Sequence, residues 1–142
     1  MITTAVSNQC KQDWLNGVHQ PGDVYKGALI KTGHAGTFDK TTDNYSDLGA
    51  DEVANGSGYT TGGATLSGFS VGITGDVAHL SFSDPSWNSA TFSADGILIY
   101  NSSKSNKVLG VHAFSNAPVS ATNGTFTADL PAPGASALLR IG

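Results

Sequence analysis

The residues able to do chemistry are few and scattered. Four histidines stand at 19, 34, 79 and 112, and one cysteine at position 10. A metal site needs ligands at a recognisable spacing with partners behind them, and no two of these histidines are close in sequence. His79 and His112 fall in predicted strands and could converge as a two-histidine site. The plainer expectation is two hydrogen-bonded strand histidines. His34, between glycines, is expected to be exposed. Sixteen serines, four histidines and ten aspartates supply a Ser-His-Asp triad on paper in any arrangement, so their presence carries no weight. No Gly-x-Ser-x-Gly nucleophile elbow occurs. The only glutamate is Glu52, which makes a glycosidase carboxylate pair hard to build. A lone Cys10 excludes an internal disulfide framework and a multi-cysteine zinc site. The expectation is a chain that is no enzyme, with no catalytic residue, no cofactor and no metal.

Two clusters remain. Asp39, Asp43, Asp47 and Asp51 recur every four residues. On a helix that is a destabilising ladder of like charges, so it reads as a solvated loop. A weak Ca²⁺ site is the minority reading, since no EF-hand loop is present. Gly56-Ser57-Gly58-Tyr59-Thr60-Thr61-Gly62-Gly63 resembles a phosphate cradle but lacks the strand before it, the helix after it and the Lys-Ser/Thr pair. Its glycines are expected at positive φ in a sharp loop, with Tyr59 anchoring it by packing.

The elements that must position these residues follow from periodicity. Val6, Cys10 and Trp14 recur at i, i+4, i+8 with Leu15 beside them, and Gly17 follows, which predicts a helix over residues 5–16. Residues 24–31 read as a strand. Residues 32–63 are glycine-punctuated and irregular, the signature of a functional loop or an interface arm. Beyond them the pattern is all β. Gly75-Asp76 is a hairpin turn between Leu66–Ile73 and Val77–Phe82. Trp87 and Phe92 flank a polar bend. Gly96–Tyr100 is a continuous apolar run of strand length, with its return at Lys107–Phe114. Shorter strands follow at 119–121 and 125–130, split by Asn123-Gly124, and at 137–141. The reading is an all-β fold, a β-sandwich or jelly-roll-like barrel of about seven to eight strands with a short N-terminal helix. Its 142 residues form a single β domain over 1–142.

Composition narrows the function classes. Gly, Ser and Thr make up a third of the chain, while only 13% of residues are charged and 39% are hydrophobic. That balance fits a folded domain rather than a disordered one. Seven Lys and Arg in a chain of net charge −4 cannot readily make the basic surface that phosphate neutralisation or an anionic membrane demands. No nucleic-acid or membrane partner is therefore expected. Met1–Val6 has neither a basic n-region nor an apolar h-region, so no secretory signal is expected. The four Asn-x-Ser/Thr triplets are what chance supplies in so Ser/Thr-rich a chain.

Three stretches carry a resemblance: Asp13–His19 (DWLNGVH), Gly56–Leu66 (GSGYTTGGATL) and Ser86–Asn101 (SWNSATFSADGILIYN). In this order and spacing they resemble a group of small virion proteins encoded in the structural modules of tailed bacteriophages, among them capsid decoration or cement proteins. The resemblance spans about Lys11 to Arg140 and departs over Lys31–Asn55. It carries over no catalytic residue. It implies a non-enzymatic shell protein made in the host bacterial cytoplasm and placed in the virion. Its partner would be the major capsid protein or another virion protein, and it would itself be a dimer or trimer. A tail, neck or fibre protein is the alternative. A carbohydrate-binding module, with Trp87 or Tyr59 as the platform, is a second.

Two interface candidates follow. The N-terminal stripe of Val6, Cys10, Trp14 and Leu15 has no second helix to receive it and must dock on a sheet or a neighbouring chain. Residues 33–63 are expected to contact the partner. Phe38, Tyr45 and Tyr59 are among the few apolar groups there to offset backbone entropy, and Asp47 and Asp51 belong to an acidic face that would meet a basic patch.

Overall fold

The computed structural model describes residues 1–142. In chain order the elements are β1 (Ala5–Val6), α1 (Asn8–Leu15), β2 (Tyr25–Lys31), β3 (Ala64–Thr65), β4 (Ser70–Thr74), β5 (Val77–Ser81), β6 (Ser86–Asn101), β7 (Lys107–Ala113), β8 (Val119–Thr127) and β9 (Leu139–Ile141). The fold is all-β: antiparallel strands in two sheets, with one short helix. The larger sheet runs β1-β7-β6-β2-β3, with β8 on the first half of β6, and the smaller runs β4-β5-β9.

The spine is β6, 16 residues long. Its second half lies between β2 and β7, in registers such as Ala28↔Leu98 and Leu98↔Val111, while its first half pairs β8, Trp87 opposite Phe126. The polar bend expected between Trp87 and Phe92 is thus part of one strand. Register shifts around Ala90, and Ser89 at φ 51°, break the alternation that would have revealed it. For the same reason the two strands expected at 119–121 and 125–130 are one, with Asn123 at φ 47°.

A continuous apolar run needs cover on both faces, and Gly96–Tyr100 has it. Ile97 and Ile99 point one way. Ile97 packs with Leu29, Trp87, Phe114 and Phe126. Ile99 packs with Leu109, Cys10 of α1 and Leu139 of the smaller sheet. Leu98 and Tyr100 point the other way, onto Phe38 and Leu48. The irregular segment is therefore the lid on that second face. It carries two 3₁₀ turns, Tyr45–Asp47 and Gly49–Asp51, and then follows the part of the β2 edge beyond its pairing with β3, where the Val53 N–H bonds the Leu29 carbonyl at 3.1 Å.

The helix starts later than its apolar spacing suggests. Ser7 caps it, its Oγ accepting from the Cys10 N–H at 3.1 Å. Val6 lies before the cap, in β1, opposite Gly110. The i, i+4 match at Val6 is thus a coincidence of spacing. Leu15, 90% exposed, is off the packed stripe.

Candidate functional site

The buried polar cluster around His19 is the first place to look for chemistry. Asp13, on α1, and Asn101, at the end of β6, are both buried. The His19 Nε2 lies 3.5 Å from the Asp13 carboxylate. The Asn101 amide reaches the His19 Nδ1 at 3.0 Å and donates to Asp23 at 2.9 Å, and the Lys104 ammonium meets Asp23 at 2.7 Å. Burial pushes His19 below its ordinary pKa, against the opposing pull of Asp13. The ring is therefore neutral, with its proton on Nε2 toward Asp13. Burial alone would raise Asp23, but the bonds from Lys104, Asn101 and the Gln20 N–H outweigh it and hold the carboxyl at about 2. An Asp-His pair suggests a relay, yet the second nitrogen of His19 is occupied by an amide rather than a nucleophile. The cluster fastens residues 16–24 to the β6–β7 turn.

Glu52 is the second cluster and a residue whose part the sequence did not disclose. Its carboxylate accepts from the Tyr45 hydroxyl at 2.5 Å, the Tyr59 hydroxyl at 2.6 Å and the Gly62 N–H at 2.7 Å. The Tyr59 oxygen in turn accepts from the Leu29 N–H of β2 at 3.1 Å. Tyr45 stacks on Tyr100, ring centres 4.6 Å apart, and the Tyr100 hydroxyl donates to the Gly62 carbonyl at 2.7 Å. Burial first, and the Glu52 charge second, raise the Tyr45 and Tyr59 hydroxyls above the ordinary tyrosine range. All three phenols thus stay protonated as donors. The one sequence signal was position: Glu52 sits seven residues from each of Tyr45 and Tyr59.

Three of the four spaced aspartates accept from backbone. Asp39 accepts from the Thr41 N–H at 2.8 Å. Asp47 accepts from the Asp43 and Asn44 N–H groups at 3.1 and 3.2 Å. Asp51 reaches back to accept from Ala35 and Gly36 at 3.0 and 2.9 Å, which lowers its pKa. No group of three or more His, Cys, Asp or Glu side chains is placed to hold a metal ion. The loop at 56–63 is equally structural. A side chain at Gly63 would strike the Gly27 carbonyl, and one at Gly58 would strike the backbone of Ser89 and Ala90.

The other sequence-predicted residues divide by burial. Cys10, Phe38 and Tyr59 are buried within the protein's own core. In these positions their side chains complete the two faces of the large sheet, the packing role expected of Cys10 and Tyr59. Burial, with Asp13 nearby, pushes the Cys10 thiol up to about 12. Val6, Trp14, Tyr45 and Asp51 are half-buried, and Asp47 and Leu15 are exposed. Trp87 is buried too, packed edge-on against Phe126 at 6.0 Å, so neither Trp87 nor Tyr59 offers a sugar a surface platform. His34, expected to be exposed, is largely covered, its ring against Phe38 and its Nδ1 on the Gly36 carbonyl at 3.0 Å. His79 and His112 stand in different sheets with different partners, Thr74 at 3.1 Å and Thr4 at 3.4 Å.

What stays open to solvent is the outer part of the small sheet. Val71 is 65% exposed, Ile73 76% and Ile141 59%. Val71 and Ile141, with Trp14, Pro21 and Phe69, border an apolar groove of about 300 Å³. No protein-family model, curated protein or solved structure matches the chain.

Proposed function

We propose that this chain is a non-enzymatic structural protein of a tailed-bacteriophage virion, seated on the head as a capsid decoration or cement protein. One observation supports the reading above others. The three stretches that resemble such proteins are the ones that fasten the frame: 13–19 holds the buried His19 cluster, 56–66 holds Tyr59 and β3, and 86–101 is the spine. A likeness lodged in fastenings is a likeness of scaffold and assembly. The partner is the major capsid protein, and the protein binds it as an oligomer. We read the finer architecture as a sandwich with jelly-roll-like character, its layers meeting where Ile99 and Leu109 face Leu139.

Electron cryomicroscopy of purified particles of the phage that encodes this chain tests the placement. Density at regular positions on the head lattice is the expected result. Density confined to the tail, neck or fibres would move the protein there. Particles without the chain would overturn the virion reading.

A further inference from the structure

We infer that β4 is a self-pairing strand, through which two copies of this chain join their small sheets across a two-fold axis. The strand is the outer member of the order β4-β5-β9. It is paired to β5 as Val71↔Leu80, Gly72↔His79 and Ile73↔Ala78, and closed by the two-residue turn Gly75-Asp76. Counting the alternation of an antiparallel ladder from that turn, Ser70, Gly72 and Thr74 bond β5, while the N–H and C=O groups of Val71 and Ile73 face outward. Outside its ladder the backbone of this strand bonds nothing. Exposed sheet edges are commonly blunted by Lys, Pro or a bulge. This one has no charge and no proline from Ser67 to Gly75, and its register is unbroken.

The strand itself names its partner. Ser-Val-Gly-Ile-Thr reads the same in either direction in chemical type: hydroxyl, β-branched, glycine, β-branched, hydroxyl. Laid antiparallel on a second copy about Gly72, it puts Val71 opposite Ile73 and Ser70 opposite Thr74, twice each. The outward groups of Val71 and Ile73 then bond those of the partner. Gly72 meets Gly72 in the unbonded position, where strands approach to about 4.5 Å. Glycine suits that position on this chain's own account, since a Cβ there would lie 2.9 Å from the His79 ring. Charge permits the pairing as well. The nearest acid, Asp76, falls opposite Gly68, and the two Asp76 side chains stand about 26 Å apart at strand rise, beyond the screening length. Five paired residues alone cover less than the roughly 800 Å² per partner of a standard interface. Val71 and Ile73, exposed side chains that flank the axis on one face of the sheet, meet their counterparts across the seam and supply additional area. The pairing stands independently of any place in a virion.

Sedimentation equilibrium of the purified full chain tests it. The expected mass rises with concentration from 14.5 kDa toward twice that and no further. Ile73→Lys, an exposed substitution that leaves the thermal melt of the dilute protein unchanged, is expected to hold it at the monomer mass. Register is read by cysteine pairing, since Cys10 is buried. An oxidised equal mixture of the Val71→Cys and Ile73→Cys proteins is expected to crosslink, because bonded residues in that register lie about 5.5 Å apart, within disulfide reach. Neither variant alone should do so. A wild-type monomer at several hundred micromolar, a trimer, a dimer indifferent to Ile73→Lys, or equal crosslinking by the single variants would each overturn the proposal.

Discussion

The molecule has two sheet edges of opposite treatment. The edge of β2 is sealed by the acid- and glycine-rich segment that follows it, with Val53 bonded to Leu29 and Glu52 bridged to Ile30. The edge of β4 is bare, although its hairpin has the more regular pattern and the more apolar side chains. By composition the first looks like the part that should be open and the second like the part that should be buried. The reversal shows what holds a polar segment down. Few apolar side chains are needed when they land on one sheet face, as Phe38 and Leu48 do, and when each carboxylate binds backbone N–H groups that would otherwise be left wanting.

The largest break in this comparison is Glu52→Ala. Three donors lose a charged acceptor, and the expected cost is about 3 kcal/mol, allowing about 1.5–3 for one hydrogen bond to a charge and incomplete additivity. A urea midpoint that moves by a quarter of that or less would mean that the seal is held by packing alone. Acid should act next, on that segment through Asp51 and on the His19 cluster through Asp23. The folded pKa of Asp51 is depressed by the Ala35 N–H, and Asp23 is held at about 2 against an ordinary 3.8. The unfolded chain therefore takes up protons first. These contributions are complete above the ordinary value and are lost as pH falls through the folded values toward 2. Protection factors from hydrogen exchange, each referred to the intrinsic rate at its own pH, are expected to fall between pH 5 and pH 2.5 across 33–63, where Asp51 binds, and across 16–24, where Asp23 binds, while the uncharged strand Ser70–Thr74 keeps its protection. An equal fall in all three places would erase the distinction.

Asp47→Ala should cost about 1 kcal/mol, the worth of a helix-start cap, because it removes the bonds to Asp43 and Asn44. Thermal unfolding reads it. The smallest effect is expected at the bare edge. Ile73→Ser in the dilute monomer should change stability by under about 0.5 kcal/mol, as surface substitutions do. A loss above about 1 kcal/mol would show that the exposed hairpin face already has a partner within its own chain.

How far the sequence reaches into this structure depends on whether a signal is local. The Gly75-Asp76 turn, the Gly96–Tyr100 run and its return at 107–113 were all legible, since turn chemistry and apolar continuity act over a few residues. The helix was found, but its start was misplaced. Ser7 was the better guide than the spacing of Val6, since a cap satisfies orphan N–H groups while an apolar match at one position costs nothing to arise by chance. The first half of the long spine reads in the sequence as a polar bend, because bulges at Ala90 shift the face each residue takes. The fastenings of 33–63 left almost no trace. A carboxylate reaching Ala35 from position 51, or Gly62 from position 52, follows no period. The continuous run at 96–100 does imply a cover: with the helix and small sheet on one side, a second segment must lie on the other, and 33–63 is the chain that does so.

The length of β6 has a mechanical consequence. Sixteen residues at about 3.3 Å each would reach about 50 Å if fully extended, somewhat less with the bulges at Ala90, so one strand serves both halves of the large sheet like a keel. It is laced on one flank to β2 and on the other to β7 and β8 in turn. Tension along that axis loads all three ladders in shear at once. Rungs in shear share a load and yield together, where rungs pulled crosswise open one by one. The body is therefore stiffest along β6 and most easily opened across it, at the two-residue strands β1 and β3 that end the large sheet.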